Sequence, residues 1–225
     1  MVTRLAEDVW WYDLTGVNAY LVDDGGTLTL VDTGNPWDGR RVVLGVTDAG
    51  YAVTDVERVL LTHYDFDHVG GLAQVHGLDA TVYVGAADAP LVRGTERPPL
   101  GNHKGLLQAV SSPFVGVPDC PVETVADGDE IGSFTVYHTP GHTPGHVAYI
   151  SEDLSTAFLG DMVREASGEL HASPWVMSYD TARVTESVRD FAARTPEFAV
   201  AAMGHGTPFS RRGSERIANL AASLA

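Results

Sequence analysis

Four side chains that can bind metal ions fall within six consecutive positions of this 225-residue chain. They are His63, Asp65, Asp67 and His68, and they directly follow an apolar run at residues 59–61. Imidazole and carboxylate groups are ligands for divalent transition metals, and in an extended segment the first three can project to one side. Taken alone, the motif leaves open an acidic, solvated loop with incidental histidines.

Three further segments place a histidine or an aspartate at a turn or at the end of a strand. Residues 138–146 contain three histidines and two Pro-Gly pairs, whose tight turns can present His142 from a rigid loop. Asp161 and His205 each follow a short apolar run. Ligands gather beyond the carboxyl ends of strands in α/β sheets. Four such segments along one chain predict a metal site, with His146 expected to make a supporting hydrogen bond rather than to bind an ion.

The order of these motifs resembles that of the metallo-β-lactamase superfamily, and within it the glyoxalase II-like hydrolases. The resemblance runs from Leu-Val-Asp-Thr-Gly at residues 30–34 to Gly-His-Gly at residues 204–206. Its centre is the family pattern His-x-His-x-Asp-His, which is soon followed by Gly-Gly. The resemblance implies two divalent ions held by seven side chains: His63, Asp65 and His142 on the first ion, Asp67, His68 and His205 on the second, and Asp161 bridging both.

Asp32 matches a family aspartate that supports the metal site without binding an ion. Its other open role is to cap the turn at Gly34.

The chain departs from the family pattern at Asp65, where the family usually has histidine. Two divalent ions contribute +4 and Asp65, Asp67 and Asp161 contribute −3, so a bridging hydroxide gives a total of zero instead of the usual +1. A less positive site acidifies its water less and suits harder ions. Zinc is the expected ion, and iron or manganese are alternatives because of the Asp65 carboxylate; flavodiiron proteins also carry a carboxylate at this place. Asp65 could instead bind no ion, which leaves a single ion at the second position.

The resemblance implies a hydrolase in which metal-bound hydroxide attacks an ester-like bond, with a thioester or a lactone as the expected substrate. Asp67, which could orient the nucleophile, and Asp161 are the predicted catalytic residues. No Gly-x-Ser-x-Gly motif of a serine hydrolase is present in the sequence. Two alternatives remain: a non-haem iron oxygenase resembling the persulfide dioxygenases, and a non-catalytic binding member of the fold.

Strand-like runs alternate with amphipathic segments, and the pattern repeats after Pro121. We expect an α/β fold made of one domain over residues 1–225, a four-layer αββα sandwich of two packed mixed β-sheets with outer helices; periodicity alone does not separate it from another α/β fold. Asn35 and Asp180 are predicted helix N-caps. Residues 94–121 are predicted to form a long loop with a short helix. The predicted strands are 9–14, 19–23, 27–31, 58–62, 81–84, 134–138, 147–151, 157–159 and 199–203, and the predicted helices are 36–46, 69–75, 86–91, 106–110, 181–193 and 214–224.

Composition narrows the function classes further. The net charge of −16 repels nucleic-acid backbones and anionic lipid surfaces, so we expect a small-molecule substrate and neither nucleic acid nor membrane as a partner. The single cysteine, Cys120, and an N-terminus without an apolar leader favour a cytoplasmic location. Only one of the 14 basic residues, Lys104, is a lysine, and adaptation to high salt is a hypothesis from this acidic, lysine-poor composition.

Overall fold

The computed structural model describes residues 2–224, which alternate between short strands and helices in the predicted manner. In addition to the strands and α-helices given below, four single turns of 3-10 helix lie at residues 53–55, 72–74, 112–114 and 175–177. The strands are β1 (Val2–Ala6), β2 (Val9–Asp13), β3 (Asn18–Asp24), β4 (Thr27–Val31), β5 (Val56–Leu60), β6 (Thr81–Gly85), β7 (Val122–Val125), β8 (Glu130–Ile131), β9 (Phe134–His138), β10 (Val147–Ser151), β11 (Thr156–Gly160), β12 (Val163–Ala166), β13 (Glu169–Ala172) and β14 (Val200–Met203). The helices are α1 (Gly39–Asp48), α2 (Phe66–Val69), α3 (Ala89–Val92), α4 (His103–Ser111), α5 (Thr181–Arg194) and α6 (Gly213–Ser223).

Each half of the chain forms its own sheet. The first sheet has seven strands in the order β1-β2-β3-β4-β5-β6-β7, antiparallel from β1 to β4 and parallel from β4 to β7. The second has five strands in the order β14-β11-β10-β9-β8, with only the β11–β14 pair parallel. A separate hairpin joins β12 to β13. Both large sheets are therefore mixed, as the sequence predicts.

Three apolar clusters define four layers. The central cluster joins the facing sides of the two sheets, with Tyr20 and Leu60 from the first packed against Phe134 and Phe158 from the second. A second cluster lies between the first sheet and α1, and a third between the second sheet and α5 and α6. Strands β10 and β11 are buried along their whole length because both of their faces are covered.

One local prediction was wrong, and a second, the short helix predicted at residues 106–110, is confirmed but was too short. Helix α1 begins at Gly39, after the N-cap Asp38, and not at Asn35. The Asp38 carboxylate accepts hydrogen bonds from the backbone N–H (3.1 Å) and the side-chain amide (2.9 Å) of Asn35, which holds residues 35–38 in a turn ahead of the helix. Residues 94–121 contain a full helix, α4, whose N-terminus is capped by Asn102. The prediction of Asp180 as the N-cap of α5 is confirmed by its 3.0 Å bond from the Arg183 N–H.

The sequence reading also missed the strands β1, β7, β8, β12 and β13, which are short or lie towards sheet edges. Across residues 2–224, no helix combines the length and the apolar character that crossing a membrane requires.

Candidate metal centre

Strand ends and one tight turn bring the predicted metal-binding side chains to one edge of the sandwich. His63 follows β5, Asp161 follows β11 and His205 follows β14, while His142 lies in the turn between β9 and β10. The two sheets are hydrogen-bonded together at this edge: Tyr149 Oη donates to the Leu61 carbonyl (2.9 Å) and Tyr20 Oη donates to the Met203 carbonyl (2.6 Å). The fold therefore fixes the spacing between ligands that come from different sheets.

The ligand-type atoms form two groups. His63, His142 and Asp161 make the first, and Asp67, His68 and His205 make the second; within each group the atoms lie within 4.8 Å of one another. Asp161 spans both groups, because its Oδ1 is 3.4 Å from His68 Nε2 and its Oδ2 is 3.1 Å from His205 Nε2 and 3.7 Å from His142 Nε2. This is the position that a bridging carboxylate needs.

Each of the four histidines in these groups has its Nδ1 held, so that its Nε2 faces the cluster. His68 Nδ1 lies 2.8 Å from Asp32 Oδ2, and His205 Nδ1 lies 2.8 Å from the Gly16 carbonyl oxygen. His142 Nδ1 lies 2.8 Å from Ser173 Oγ. A carboxylate and a carbonyl can only accept, so His68 and His205 donate from Nδ1, and Nε2 is the nitrogen that an ion would bind once its proton is released.

Asp32 organises the motif from behind. One carboxylate oxygen accepts from the Thr62 backbone N–H (2.9 Å), and the other accepts from Thr62 Oγ1 (2.8 Å) as well as from His68. Because the Thr62 hydroxyl donates to Asp32, its oxygen is free to accept from His63 Nδ1, 2.9 Å away. Asp32 therefore orients two imidazoles, and the turn at Gly34 is instead stabilised by Asp38.

His146 is fully buried beside the cluster but points its nitrogens elsewhere. Its Nε2 accepts the backbone N–H of Asp161 at 3.0 Å, and its Nδ1 lies 2.8 Å from Thr139 Oγ1. Burial holds the pKa of His146 well below its usual range, so that the ring stays neutral. It makes a supporting hydrogen bond to the residue that bridges the two groups, and it has no nitrogen left for an ion.

Close packing around Asp161 leaves room only for glycine at two neighbouring positions. A Cβ atom at Gly204 would overlap Asp161 Oδ1, and a Cβ atom at Gly160 would lie 2.6 Å from His146 Nε2. Gly160 also has a φ of +49°, a conformation that side chains with a Cβ seldom adopt. Gly160, the last residue of β11, and Gly204, which precedes His205, are thus part of how the site is built.

Asp88 is a structural residue of the site that the sequence reading missed. Its buried carboxylate accepts from the Tyr64 N–H (2.8 Å), from Thr143 Oγ1 (2.7 Å) and from the Gly145 N–H (2.9 Å). It therefore ties the His63–His68 segment of the first half to the His142 turn of the second. Its only sequence signal is the Asp-Ala-Pro pattern of a helix start before α3.

Both oxygens of the Asp65 carboxylate are contacted by side chains, which come from two histidines of the cluster and two residues of α4. Its Oδ2 lies 3.3 Å from His63 Nε2 and 2.9 Å from His142 Nε2, and it forms a buried ion pair with Lys104 Nζ. Its Oδ1 accepts from Gln108 Nε2 at 2.9 Å. The sequence reading missed both partners, because they lie on α4 and far along the chain from Asp65.

Charges within the cluster shift several pKa values. Burial alone would raise the pKa of Asp161, but the charges of His205 and His68 outweigh it and hold the pKa well below its usual range. The Asp161 charge in turn raises the pKa of His205 to about 9. Burial lowers the pKa of His63 to about 4. For Asp65, burial is again outweighed, here by the Lys104 ammonium, so its pKa is well below the usual range.

The buried atoms around the centre of the cluster fit a cation. His63 Nε2, His68 Nε2 and Asp161 Oδ1 are all buried and have no hydrogen-bond partner within residues 2–224. Leaving buried polar atoms without a partner costs about 1–3 kcal/mol each, so such a convergence calls for a ligand. Imidazole nitrogens and carboxylate oxygens are the donors that zinc, iron and manganese accept.

A cleft opens over the cluster. One part, of about 270 Å³, is lined by Asp65, Asp67 and Lys104 together with the apolar side chains Phe66 and Leu107. An adjoining part, of about 240 Å³, is lined by residues that include Asp161, Arg164 and His205. Met177 lines both parts. Within the cleft, charged groups lie at the floor and apolar groups on α4 and the 175–177 turn form one wall.

The family model described as "Metallo-beta-lactamase superfamily" matches residues 12–205, and the chain therefore belongs to the metallo-β-lactamase superfamily. The glyoxalase II-like resemblance is also supported, because a hydroxyacylglutathione hydrolase of Erwinia tasmaniensis is 32% identical over 65% of this chain and 46% of its own length.

Other relatives extend this comparison. The uncharacterized protein YobT of Bacillus subtilis is 27% identical over 89% of this chain and 87% of its own length. An atrochrysone carboxyl ACP thioesterase of Aspergillus fumigatus is 26% identical over 79% of this chain. The chain spans 36% of that thioesterase, so it matches only part of this larger relative.

Solved structures confirm the fold. A metallo-beta-lactamase family protein from Thermus thermophilus superposes with a TM-score of 0.72 at 25% identity, covering 98% of this chain and 80% of that one. A second structure, TTHA1623 in a di-iron-bound form, superposes with a TM-score of 0.68 at 28% identity and covers 89% and 93%.

Proposed function

We propose that this chain is a metal-dependent hydrolase that cleaves an ester-like bond, a thioester or a lactone, in a small molecule with an apolar acyl group. The observation that carries the proposal is the set of buried atoms without a hydrogen-bond partner among the described residues, His63 Nε2, His68 Nε2 and Asp161 Oδ1, beside a cleft that Asp161 and His205 line. Members of the superfamily with hydrolase and thioesterase names support the reaction class.

The residues that would hold divalent ions are His63, His142 and Asp161 in one group and Asp67, His68 and His205 in the other, with Asp65 beside the first. Ions bound there would activate a water molecule and stabilise negative charge developing on a carbonyl oxygen. Asp161 would hold the two groups of ligands at a fixed distance from each other. Asp67, which is partly exposed in the cleft, would orient the attacking water or accept a proton from it.

The apolar side chains in the cleft wall favour a substrate with an apolar acyl group. Leu107 on α4 and Met177 in the 175–177 turn are both exposed and line the part of the cleft that contains Asp65 and Asp67. Trp175, also exposed, is stacked on His103 with ring centroids 4.3 Å apart, which fixes this wall against the start of α4. Exposed apolar side chains beside a polar floor are typical of a pocket that binds a small organic ligand.

The experiment is a hydrolysis assay on a panel of acyl thioesters and acyl lactones of increasing chain length. We expect chelation to abolish activity, zinc, manganese or iron(II) to restore it, and kcat/KM to rise with the length of the acyl chain. Asp161→Ala should be inactive, whereas Asp153→Asn, at an exposed carboxylate on another loop, is the matched control. Full activity after chelation, or in Asp161→Ala, would contradict the proposal.

A second candidate, an iron-dependent oxygenase, is favoured by one observation. The similar structure of TTHA1623 is in a di-iron-bound form, and the carboxylate of Asp65 beside the first group is a ligand type that suits iron. Oxygen uptake by the iron-loaded protein with a thiol or persulfide substrate distinguishes this reaction from hydrolysis, which consumes no oxygen.

A further inference from the structure

The two groups of ligands differ in one respect that the family pattern does not contain: a lysine side chain is buried against the first group. Lys104 is only 3% exposed, its Nζ pairs with Asp65 Oδ2, and it lies 3.5 Å from His142 Nε2. His142 belongs to the first group, and Asp65 lies beside it. The Lys104 ammonium therefore lies close to the place that an ion bound by His63 and His142 would occupy.

Both oxygens of Asp65 already have donors. Lys104 Nζ donates to Oδ2, which also lies 2.9 Å from His142 Nε2, and the Gln108 amide donates to Oδ1. Gln108 also donates to the Tyr64 carbonyl at 2.6 Å. An added cation on Oδ2 would have to displace the Lys104 ammonium, so Asp65 gains less from it than a carboxylate without a cationic partner would.

The backbone of Lys104 is held in place at the start of α4. The Asn102 side chain accepts the Lys104 N–H at 2.9 Å and donates to the Tyr179 carbonyl at 3.0 Å. His103 Nε2 lies 2.8 Å from the Trp175 carbonyl oxygen. Tyr179 Oη donates to Gln108 Oε1. Helix α4 is thus bonded to the 175–179 segment on one side and, through Lys104 and Gln108, to Asp65 on the other, which fixes the backbone position from which the Lys104 side chain reaches Asp65.

We propose that Lys104 makes the two metal positions unequal: its ammonium competes with a divalent cation for Asp65, so that one ion binds tightly at Asp67, His68 and His205 and a second binds only weakly at His63 and His142. No cation is buried beside the second group: among the described residues, the cleft next to His205 offers Arg164, which is not among its hydrogen-bond or ion-pair partners. The inference rests on the proposal that both groups bind divalent ions.

The formal charges of Asp65 and Lys104 also favour unequal binding at the two positions. Asp65 in place of the family's histidine adds one negative charge to the cluster, and Lys104 adds one positive charge directly against it. The Asp65–Lys104 pair is therefore neutral, as a histidine would be, but its donor atom faces an ammonium rather than an open coordination position. A doubly charged ion within a few ångströms of that ammonium is repelled in a poorly screened interior.

The test measures ion binding rather than activity. Chelator-treated protein is titrated with zinc by calorimetry, and the bound metal is counted by elemental mass spectrometry; cobalt(II) absorption provides an independent signal of each occupied position. We expect one tight zinc ion in the wild type, with the second weaker by about 100-fold or more because of the neighbouring charge. Lys104→Met should bind two ions tightly, and Lys104→Arg should behave as the wild type does.

Two further variants make the result specific. His142→Ala in the Lys104→Met background should remove the gained ion and leave the first. Arg183→Met, which deletes an exposed positive charge on α5, should leave the wild-type pattern unchanged. A gain of binding in Lys104→Met cannot arise from misfolding, and circular dichroism of each variant checks the fold.

The other outcomes separate the two proposals. Two ions of similar affinity in the wild type, or no gain in Lys104→Met, would overturn the role of Lys104 while leaving the hydrolase proposal standing. Failure of the wild type to bind any of zinc, cobalt(II), manganese or iron(II) would overturn the proposed function itself, and the role of Lys104 with it.

Discussion

The carboxylate of Asp32 lies 2.8 Å from Nδ1 of His68, at the base of the second group of metal ligands. The same oxygen accepts the Thr62 hydroxyl, which in turn accepts from His63 Nδ1. A single buried acid therefore sets which nitrogen of His68 carries the proton and orients His63 through Thr62. The carboxyl end of β4 supplies this acid, and the segment after β5 supplies the residues that it orients.

Asp32→Asn should lower the affinity for the tightly bound ion by about 10- to 100-fold, which is the usual effect of losing such a supporting partner. The asparagine amide can donate to His68 Nδ1, which favours the tautomer with its proton on Nε2 and so blocks the nitrogen that faces the cluster. Zinc titration of the variant measures the loss. An unchanged affinity in a folded Asp32→Asn protein would show that the tautomer of His68 does not matter for binding.

His205→Ala should lose the tight ion, with affinity reduced by about 100-fold or more, since a direct ligand matters at least as much as a supporting partner. His205 Nε2 lies 3.1 Å from Asp161 and 3.4 Å from Asp67, between two carboxylates of the proposed position. His171→Ala is the matched control, because His171 is exposed on β13 and its Nε2 lies 3.3 Å from the Ala166 carbonyl oxygen, away from both groups of ligands. Equal zinc affinities in the two variants would remove His205 from the site.

Asp88→Asn should destabilise the fold by about 1–3 kcal/mol, because an amide NH₂ would face donors that now bind a carboxylate. The buried carboxylate accepts from Tyr64, Thr143 and Gly145, and burial raises its pKa despite these bonds. Urea unfolding of metal-free protein measures the change. Thr143→Val removes one donor and should give a smaller loss; a larger loss in that control would contradict the role given to the carboxylate.

Asp38 should contribute to the acid sensitivity of the fold. Burial alone would raise its pKa, but bonds from Asn35, Thr15 and Arg41 outweigh burial and lower it. A carboxyl whose pKa is lower in the folded than in the unfolded chain stabilises the fold above the unfolded value, about 3.9, and loses this contribution as pH falls through the folded value.

The free energy of unfolding of Asp38→Asn should therefore be lower than that of the wild type by about 1–3 kcal/mol at pH 7. The difference should shrink as pH falls below about 4. Denaturant titrations of metal-free protein from pH 7 to pH 3 give both curves. Thr15→Val, which removes one donor to the same carboxylate, should show a smaller difference with the same trend, and a difference that grows towards low pH would contradict the assignment.

The stability of the whole chain should rise with salt if the acidic composition is an adaptation. A net charge of −16 repels itself in the compact state, and added ions screen that repulsion. Unfolding in urea from low to multimolar KCl measures the effect. A flat or falling stability profile would exclude salt adaptation, while leaving the fold and the site untouched.

Local patterns in the sequence predicted most of the strands and the ligand segments, and the family resemblance distinguished the sandwich from other α/β folds. Strands β4, β9 and β10 were predicted at the bounds that the structure gives them, because their apolar runs end at clear turn residues. Because the segments that carry the ligands follow strand ends, the sequence alone predicts that His63, Asp161 and His205 lie at one edge of the sandwich.

Contacts between distant parts of the chain were decided only by the tertiary structure. Lys104 reaches Asp65 across 39 positions, and Asp88 reaches Gly145 across 57. Neither pairing has a local signature, because a lysine at a helix start and an aspartate before a proline are ordinary surface features in sequence. The packing of α4 over the cluster buries the ammonium, and burial is what turns a common charge pair into a control on metal binding.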